Sequence, residues 1–477
     1  MPLVRCLLLA SLFVALCAPW TARAQDDVVA RLVEEGLAQN LALQQRAFDL
    51  AQSRESLAEA RGLFWPTVDL QARYSRAEGG RTFDIPVGDL LNPVYGTLNE
   101  LLAAQGEPSA FPTIQNVSTP FLREQEQDTR LQIIQPLYQP QISRTVRLRE
   151  QQMDIQRHGL DAYRQELILE IKTAYYDYVK AERAVAIYQS ALDLVQEGAR
   201  VNERLVAAST ATHDALLRAQ TEVLNVRQQV AEAERDRTLA RSYVNFLLNR
   251  SLDTPLEMIE SSDQVPALLG TSPFRFASAQ VAAVDPVHAW QEQAVQARPE
   301  LQQVESAVQA SMAATALEQS AHLPGVSLVM DLGIEGETYQ LNNGGSFYMG
   351  SLVLRWNLFN GFQTRSRVTQ QRIQTQRLEA QRAELGQQIR LQVREAYDQA
   401  ATAYQMAQQT AAQRVRTAAS TYRLVARRYE EGLAPYVDLL DARTTLTTAE
   451  LNLNITQTDL LTRLAELEYA IGPLPTP

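Results

Sequence analysis

The sequence predicts a mainly α-helical, internally duplicated chain whose four short strands contribute to a membrane β-barrel. Three observations predict this class. Segments of the first half recur, in order, in the second; two long proline-free regions are rich in Ala, Gln, Glu, Arg and Leu; and four short segments alternate apolar with polar side chains. Each half reads helix, strand, strand, long helical hairpin.

The chain opens with Arg5, an apolar run from Cys6 to Ala18, and Ala22-Arg23-Ala24, which has the form of an export-signal cleavage site. Residues 1–24 are therefore expected to be a cleaved signal peptide. Leu16, before Cys17, is larger than a lipid-attachment signal accepts. Both cysteines leave with the peptide, so the mature chain offers no disulfide, thiolate metal site or thiol nucleophile. The net charge of −11 becomes −13 without Arg5 and Arg23, which argues against nucleic acid as a partner. No mature apolar run reaches the ~20 residues of a transmembrane helix. An exported chain of this kind can enter a membrane only as a β-barrel.

The first repeat spans 25–255, with a helix over 26–62, strands at about 65–76 and 128–138, and a helical hairpin over 142–249. A linker at 256–285 leads to the second repeat, 286–477. That repeat has a helix over 286–321, strands at about 324–335 and 347–357, and a hairpin over 362–471. The duplication shows first at the strands, where Pro66, Val68 and Leu70 precede Pro324, Val326 and Leu328 by 258 residues. "RLQIIQPLYQPQISR" from Arg130 then faces "SLVLRWNLFNGFQTR" from Ser351 at an offset of 221. The difference of 37 residues is a longer loop, Gly79 to Gln127, between the first pair of strands. At the hairpin turns the offset is 223, matching Ala211, Leu216, Leu217, Ala219 and Thr221 to Ala434, Leu439, Leu440, Ala442 and Thr444.

In the first hairpin the apolar stripe Ile171, Ala174, Tyr178, Ala181, Val185, Tyr188, Leu192, Val195, Ala199 averages about 3.5 residues, the period of a left-handed coiled coil. In the second, Leu385, Ala396, Ala407, Ala418 and Tyr429 fall every 11 residues, which predicts an almost straight helix. A helix from Ser143 to Arg204 would run for ~90 Å, so an elongated object is expected.

In the strands, Val68, Leu70, Leu131, Ile133, Val326, Leu328, Leu352 and Leu354 fall on one face. Asp69, Gln71, Arg73, Arg130, Asp331 and Arg355 fall on the other. Membrane barrels place the apolar set against lipid and the polar set toward the lumen, although the edge of a soluble sheet shows the same alternation. Trp65, Tyr74, Tyr348 and Trp356 lie near strand ends, where a membrane aromatic belt would sit. Four strands cannot close a barrel, since about 8 is the smallest closed membrane form. Either the strands form a soluble sheet or several chains share one barrel, and export, alternation and the aromatic belt together favour the shared barrel.

Gly432 and Pro435 interrupt the second hairpin, and Asp438 and Asp441 follow on one helix face. An ordinary solvated helix face would also look like this. The first copy keeps the leucines but has Ala215 and Arg218 at the aspartate positions. His158, His213, His288 and His322 lack metal-ligand spacing, and neither a nucleophile–base pattern nor a phosphate loop occurs. No catalytic residue, metal site or cofactor is expected.

The order of elements, the Pro-x-Val-x-Leu strands, "WNLFNG" and "YEEGLAPYVDLLDARTTL" resemble the TolC-like outer-membrane efflux proteins. The resemblance implies a homotrimer in which a 12-stranded β-barrel in the outer membrane of a Gram-negative bacterium joins a periplasmic α-helical barrel. It implies a passive exit duct of a tripartite efflux or type I secretion system. An inner-membrane pump of RND, ABC or MFS type would drive it through a periplasmic adaptor. The hairpin tips, Ser209 and Thr210 with Gly432, Leu433, Ala434 and Pro435, would meet the adaptor. Asp438, Asp441 and Tyr429 would form the periplasmic aperture. Ala434 stands where relatives can carry a basic gating residue, and Ser209 replaces the turn glycine, so the first tip is not expected to be a left-handed glycine turn. The alternative expectation is a periplasmic or surface coiled-coil scaffold without channel activity.

Overall fold

The computed structural model describes residues 27–210, 212–258, 286–338 and 345–472. The expected signal peptide and most of the expected linker lie outside the described residues. The chain divides into two compact units. One comprises Met1–Glu55, Glu150–Ala310 and Ile373–Pro477; the other comprises Ser56–Arg149 and Ser311–Arg372.

The single helix expected over 26–62 is two helices, α1 (Asp27–Gln39) and α2 (Leu41–Gly62). Asn40 makes the break: its Oδ1 accepts from the Leu43 N–H at 2.9 Å, while its Nδ2 donates to the Leu247 carbonyl at 2.9 Å. The first bond is an N-cap for α2. The second repeat breaks 258 residues later, at Arg298, between helices Pro286–Ala297 and Pro299–Ser320. Here Pro299 is the cause, because it disfavours helical geometry in the residue before it.

In the second unit, β1 (Thr67–Arg76) leads to a short strand β2 (Thr82–Ile85), helix α3 (Val87–Ala104) and strand β3 (Val117–Pro120). The long first loop is thus folded. Strand β4 (Gln125–Tyr138) follows, and the second repeat supplies β5 (Gly325–Gly336) and β6 (Ser346–Arg355). The antiparallel order is β1-β4-β5-β6. Val68 sits opposite Ile133, which faces Met330; Leu70 sits opposite Leu131, which faces Leu332. Leu328 and Val326 oppose Leu352 and Leu354. Side chains opposite one another share a face, so the alternation within each strand adds up to one apolar face across the whole sheet. On the other face Asp69, Gln132 and Asp331 align, with Gln132 Nε2 donating to Asp331 at 2.9 Å. Arg130 pairs with Asp128 on that face too.

The first hairpin is α4 (Pro140–Ala207) and α5 (His213–Leu247). With the second-repeat helices Pro286–Ala297 and Pro299–Ser320 as α6 and α7, the second hairpin is α8 (Gln363–Gln405), α9 (Ala412–Glu430) and α10 (Tyr436–Ile471). In the first unit, Leu167, Ile171, Tyr175 and Tyr178 pack with Leu32, Leu43, Val244 and Leu248. Ile389, Val393, Ala396 and Ala400 pack with Ala294, Leu467 and Ile471.

The second hairpin is not uniformly straight. A π-helical turn, Met406–Ala411, joins α8 to α9. Its origin lies in the duplication. Buried Leu167, Ile171, Ala174, Tyr178 and Val185 precede buried Ile389, Val393, Ala396, Ala400 and Ala407 by 222 residues, whereas Val195 precedes Ala418 by 223. One residue has been added between the last two pairs, and the wide turn absorbs it without rotating the buried stripe away.

Both hairpin tips are built alike. Thr210 N–H donates to the Leu205 carbonyl at 2.8 Å and Ser209 N–H to Val206 at 2.9 Å; Leu433 donates to Arg428 at 2.7 Å and Gly432 to Tyr429 at 3.0 Å. Every partner is displaced by 223. This is the six-to-one bond of a left-handed helix C-terminus. Gly432 has φ 71° and Ser209 φ 56°, which corrects the expectation that serine would change the first turn. The bonding is retained and serine bears the backbone cost. A Cβ on Gly432 would meet nothing within 4 Å, so substitution there costs backbone energy alone. Ser209→Gly should stabilise and Gly432→Ala destabilise the protein, each by about 1 kcal/mol. Thermal loss of helical circular dichroism measures both; no effect of Gly432→Ala would contradict the left-handed tip.

Candidate functional site

The helices below the two tips meet through a small polar cluster in the first unit. Tyr429, at the end of α9, donates its hydroxyl to Asn202 Oδ1 on α4 at 3.2 Å. Asn202 is held by its own Nδ2, which donates to the Gly198 carbonyl at 2.9 Å. The Tyr429 ring lies 5.7 Å from that of Tyr436, the first residue of α10. Tyr436 is buried, and its hydroxyl lies 3.3 Å from where a Cβ on Gly198 would stand. A larger residue at 198 would push the ring out. Burial pushes the Tyr436 phenol up to about 12. Burial also raises Tyr429, although the Asn202 hydrogen bond acts in the opposite direction. Tyr429 therefore meets Asn202 as a neutral donor.

Asp438 lies in the first turn of α10, where the helix N-terminus favours an acid. Asp441 follows within the same helix, and both are exposed. Neither forms an ion pair among the described residues. In the first hairpin the arrangement is different: Arg218 Nε donates to Asp214 at 3.0 Å. The acids of the second hairpin stay uncompensated, while the acid of the first is matched by Arg218, the counterpart of Asp441. Of the expected tip residues, Ser209, Thr210, Gly432, Leu433 and Pro435 are exposed and Ala434 is half-buried.

Sequence reasoning found Tyr429 but missed Asn202, Gly198, Tyr436 and Arg443. Arg443 is only 7% exposed, and its Nε and Nη2 have no hydrogen-bond partner among the described residues. Burial lowers its pKa, against the influence of Glu450 and Tyr422. A signal was available for two of them. Position 443 corresponds to Gln220 and position 436 to His213 in the first copy, so both are places where the halves diverge beside a shared leucine frame. Nothing in the sequence marked Asn202, which matters only through a contact 227 residues away. Among the described residues no group of three metal-binding side chains occurs, and no helix is long and apolar enough to cross a membrane.

Duplicated halves, strands with one apolar face and long helical hairpins are the features that a comparison with known proteins can place. The family described as outer membrane efflux protein matches residues 32–250 and 290–473, and the chain belongs to that family. Its members are channel components of tripartite efflux systems; the chain is a channel protein and not an enzyme. Solved structures agree in fold. CusC, described in terms of transmembrane channel formation, superposes with a TM-score of 0.73 at 14% identity, covering 93% of this chain and 92% of CusC. The CmeC outer membrane channel of Campylobacter jejuni gives 0.71 at 15% identity, covering 94% and 86%. The open state of the Neisseria gonorrhoeae MtrE channel gives 0.70 at 17%, covering 93% and 89%. No curated protein matches the chain in sequence.

The hydrogen bond between Tyr429 and Asn202 joins the two hairpins and should be worth about 1 kcal/mol. Tyr429→Phe and Asn202→Ala should each lower thermal stability, and the double variant should lose less than the sum. Strict additivity in that cycle would contradict the contact.

Proposed function

We propose that three copies of this chain form one duct in the outer membrane of a Gram-negative bacterium. Each copy contributes four strands to a 12-stranded barrel and two helical hairpins to a periplasmic tunnel. The observation that carries this reading is the sheet's division into faces. Leu70 is 73% and Leu352 70% exposed on one face, while Asp128 and Asp331 are 6% and 4% exposed on the other. An apolar sheet face left open by the chain calls for an apolar surrounding, and free edge strands in lipid call for closure. In this reading Val68, Leu70, Leu131, Ile133, Val326, Leu328, Leu352 and Leu354 face lipid. Asp69, Gln71, Arg73, Arg130, Asp331 and Arg355 face the lumen. Family membership leaves the scaffold alternative without support.

The duct has no energy source of its own, so an inner-membrane pump of RND, ABC or MFS type drives it through a periplasmic adaptor. The adaptor meets the tips at Ser209, Thr210, Gly432, Leu433, Ala434 and Pro435, where Leu433 offers an exposed apolar side chain. Efflux of small molecules and type I secretion of polypeptide use the same kind of outer component, and growth of a deletion strain on a panel of toxic compounds separates them. In the trimer Asp438 and Asp441 place six carboxylates around the periplasmic aperture, with Tyr429 beneath them. Uncompensated acids at a narrow opening favour cations.

Planar-bilayer recording tests both levels. The purified protein should conduct, and the Asp438→Asn, Asp441→Asn double variant should conduct with its cation preference lost. Conductance with unchanged selectivity would remove the aperture assignment, and recovery of the protein from cells as a soluble periplasmic monomer would remove the duct.

A further inference from the structure

The 37-residue surplus of the first repeat is an ordered insertion with one face left open. It rises from β1 and returns into β4, at the end of the sheet away from α2 and α4. Strands β2 and β3 pair at its base, and α3 carries the segment 111–116 strapped along one side. Asn92 exchanges two hydrogen bonds with the backbone of Ile114, both at 2.8 Å. Asn99 does the same with Phe111, at 2.7 and 3.1 Å. The spacing explains the fit: seven helical residues advance about 10.5 Å and three extended residues about 10 Å. At the start of α3, Asn116 accepts from the Asp89 N–H at 3.0 Å, and a side chain on Gly88 would collide with the Ile114 carbonyl. The Tyr95 and Phe111 rings meet at 5.2 Å, tilted by 39°. This is a built element, not a slack surface loop.

The opposite face of α3 is bare among the described residues. Leu90, Val94, Leu98 and Leu101 recur at intervals that place them on one stripe, roughly opposite Asn92 and Asn99. All four are exposed, Leu90 at 68% and Leu101 at 57%. An apolar stripe on a helix so firmly held marks a docking surface. Two observations say what covers it. Between Arg81 and Arg123 at its base, the insertion contains Asp84, Asp89, Glu100 and Glu107 and no Lys or Arg, so the segment that carries the stripe brings no cation of its own to pair with lipid phosphates. And the insertion continues directly from β1, an edge strand of the sheet, so it emerges at the seam where a neighbouring copy must pair.

We propose that the stripe Leu90–Val94–Leu98–Leu101 docks on the adjoining copy of this chain, so that the three insertions hold one another at the outer end of the barrel. The proposal rests on the trimer proposed above. It gives the first repeat's surplus residues a role in assembly that the second repeat does not share.

Photocrosslinking tests it. Benzoylphenylalanine is placed at Val94 or Leu101 on the stripe, and at Gly96, exposed on another face of α3, as control. Full-length protein is irradiated in isolated membranes, and light scattering of the purified protein counts its copies. The expected result is a trimer in which Val94 and Leu101 give chain-to-chain adducts several-fold more often than Gly96. A trimer with stripe adducts to lipid alone, with none, or with as many from Gly96, overturns the docking and leaves the trimer standing. A monomer overturns both.

Discussion

A four-stranded sheet with one apolar face and two unpaired edges cannot be satisfied by a single chain, and the rest of the structure follows from that. Among the described residues β1 and β6 have no further partner. Each edge presents a row of backbone N–H and C=O groups, and in hydrocarbon each unpaired group costs several kcal/mol. The apolar face meanwhile asks for lipid or a partner. Both demands are met together when copies join edge to edge in a closed ring. Adding a fifth and sixth strand to one chain would relieve neither.

The polar face obeys the complementary constraint. Asp331 accepts from Gln132, and Asp128 pairs with Arg130, so the two buried acids on that side are held by partners on the same side. Polar groups with partners can line a wet passage without drawing the sheet closed on itself. The hairpins use the same economy in a different form. Small residues such as Ala396, Ala400 and Ala407 form their buried stripe, and near the tips a polar contact, from Tyr429 to Asn202, helps to tie the two hairpins. A polar tie is easier to break than an apolar core, because both groups can turn to water.

Much of this was legible in the sequence, for definite physical reasons. A strand's faces follow from a period of two, so Leu70 and Leu352 could be assigned from their own neighbours. Duplication then aligned the halves without any knowledge of contacts. What escaped depends on geometry that the period does not carry. The break at Asn40 arises from a side-chain cap and from the distant Leu247 carbonyl. The π turn at Met406–Ala411 records a one-residue change of offset too small to see in a composition pattern. The long first loop showed no internal order in the sequence because its asparagines bind backbone across 12 and 22 positions, which only the folded strap reveals. Serine at the first tip misled for the opposite reason: the bonding pattern there outweighed the residue's own preference.

The division of the sheet between lipid and water is the claim on which the channel reading turns. Because both cysteines belong to the expected signal peptide, single cysteines can be placed along β1 and spin-labelled in membranes. Collision with oxygen and with a water-soluble nickel complex then reads each position. The account predicts that positions 68, 70, 72 and 74 favour oxygen and that 69, 71 and 73 favour the nickel complex, alternating residue by residue. Access to the nickel complex at every position would contradict it.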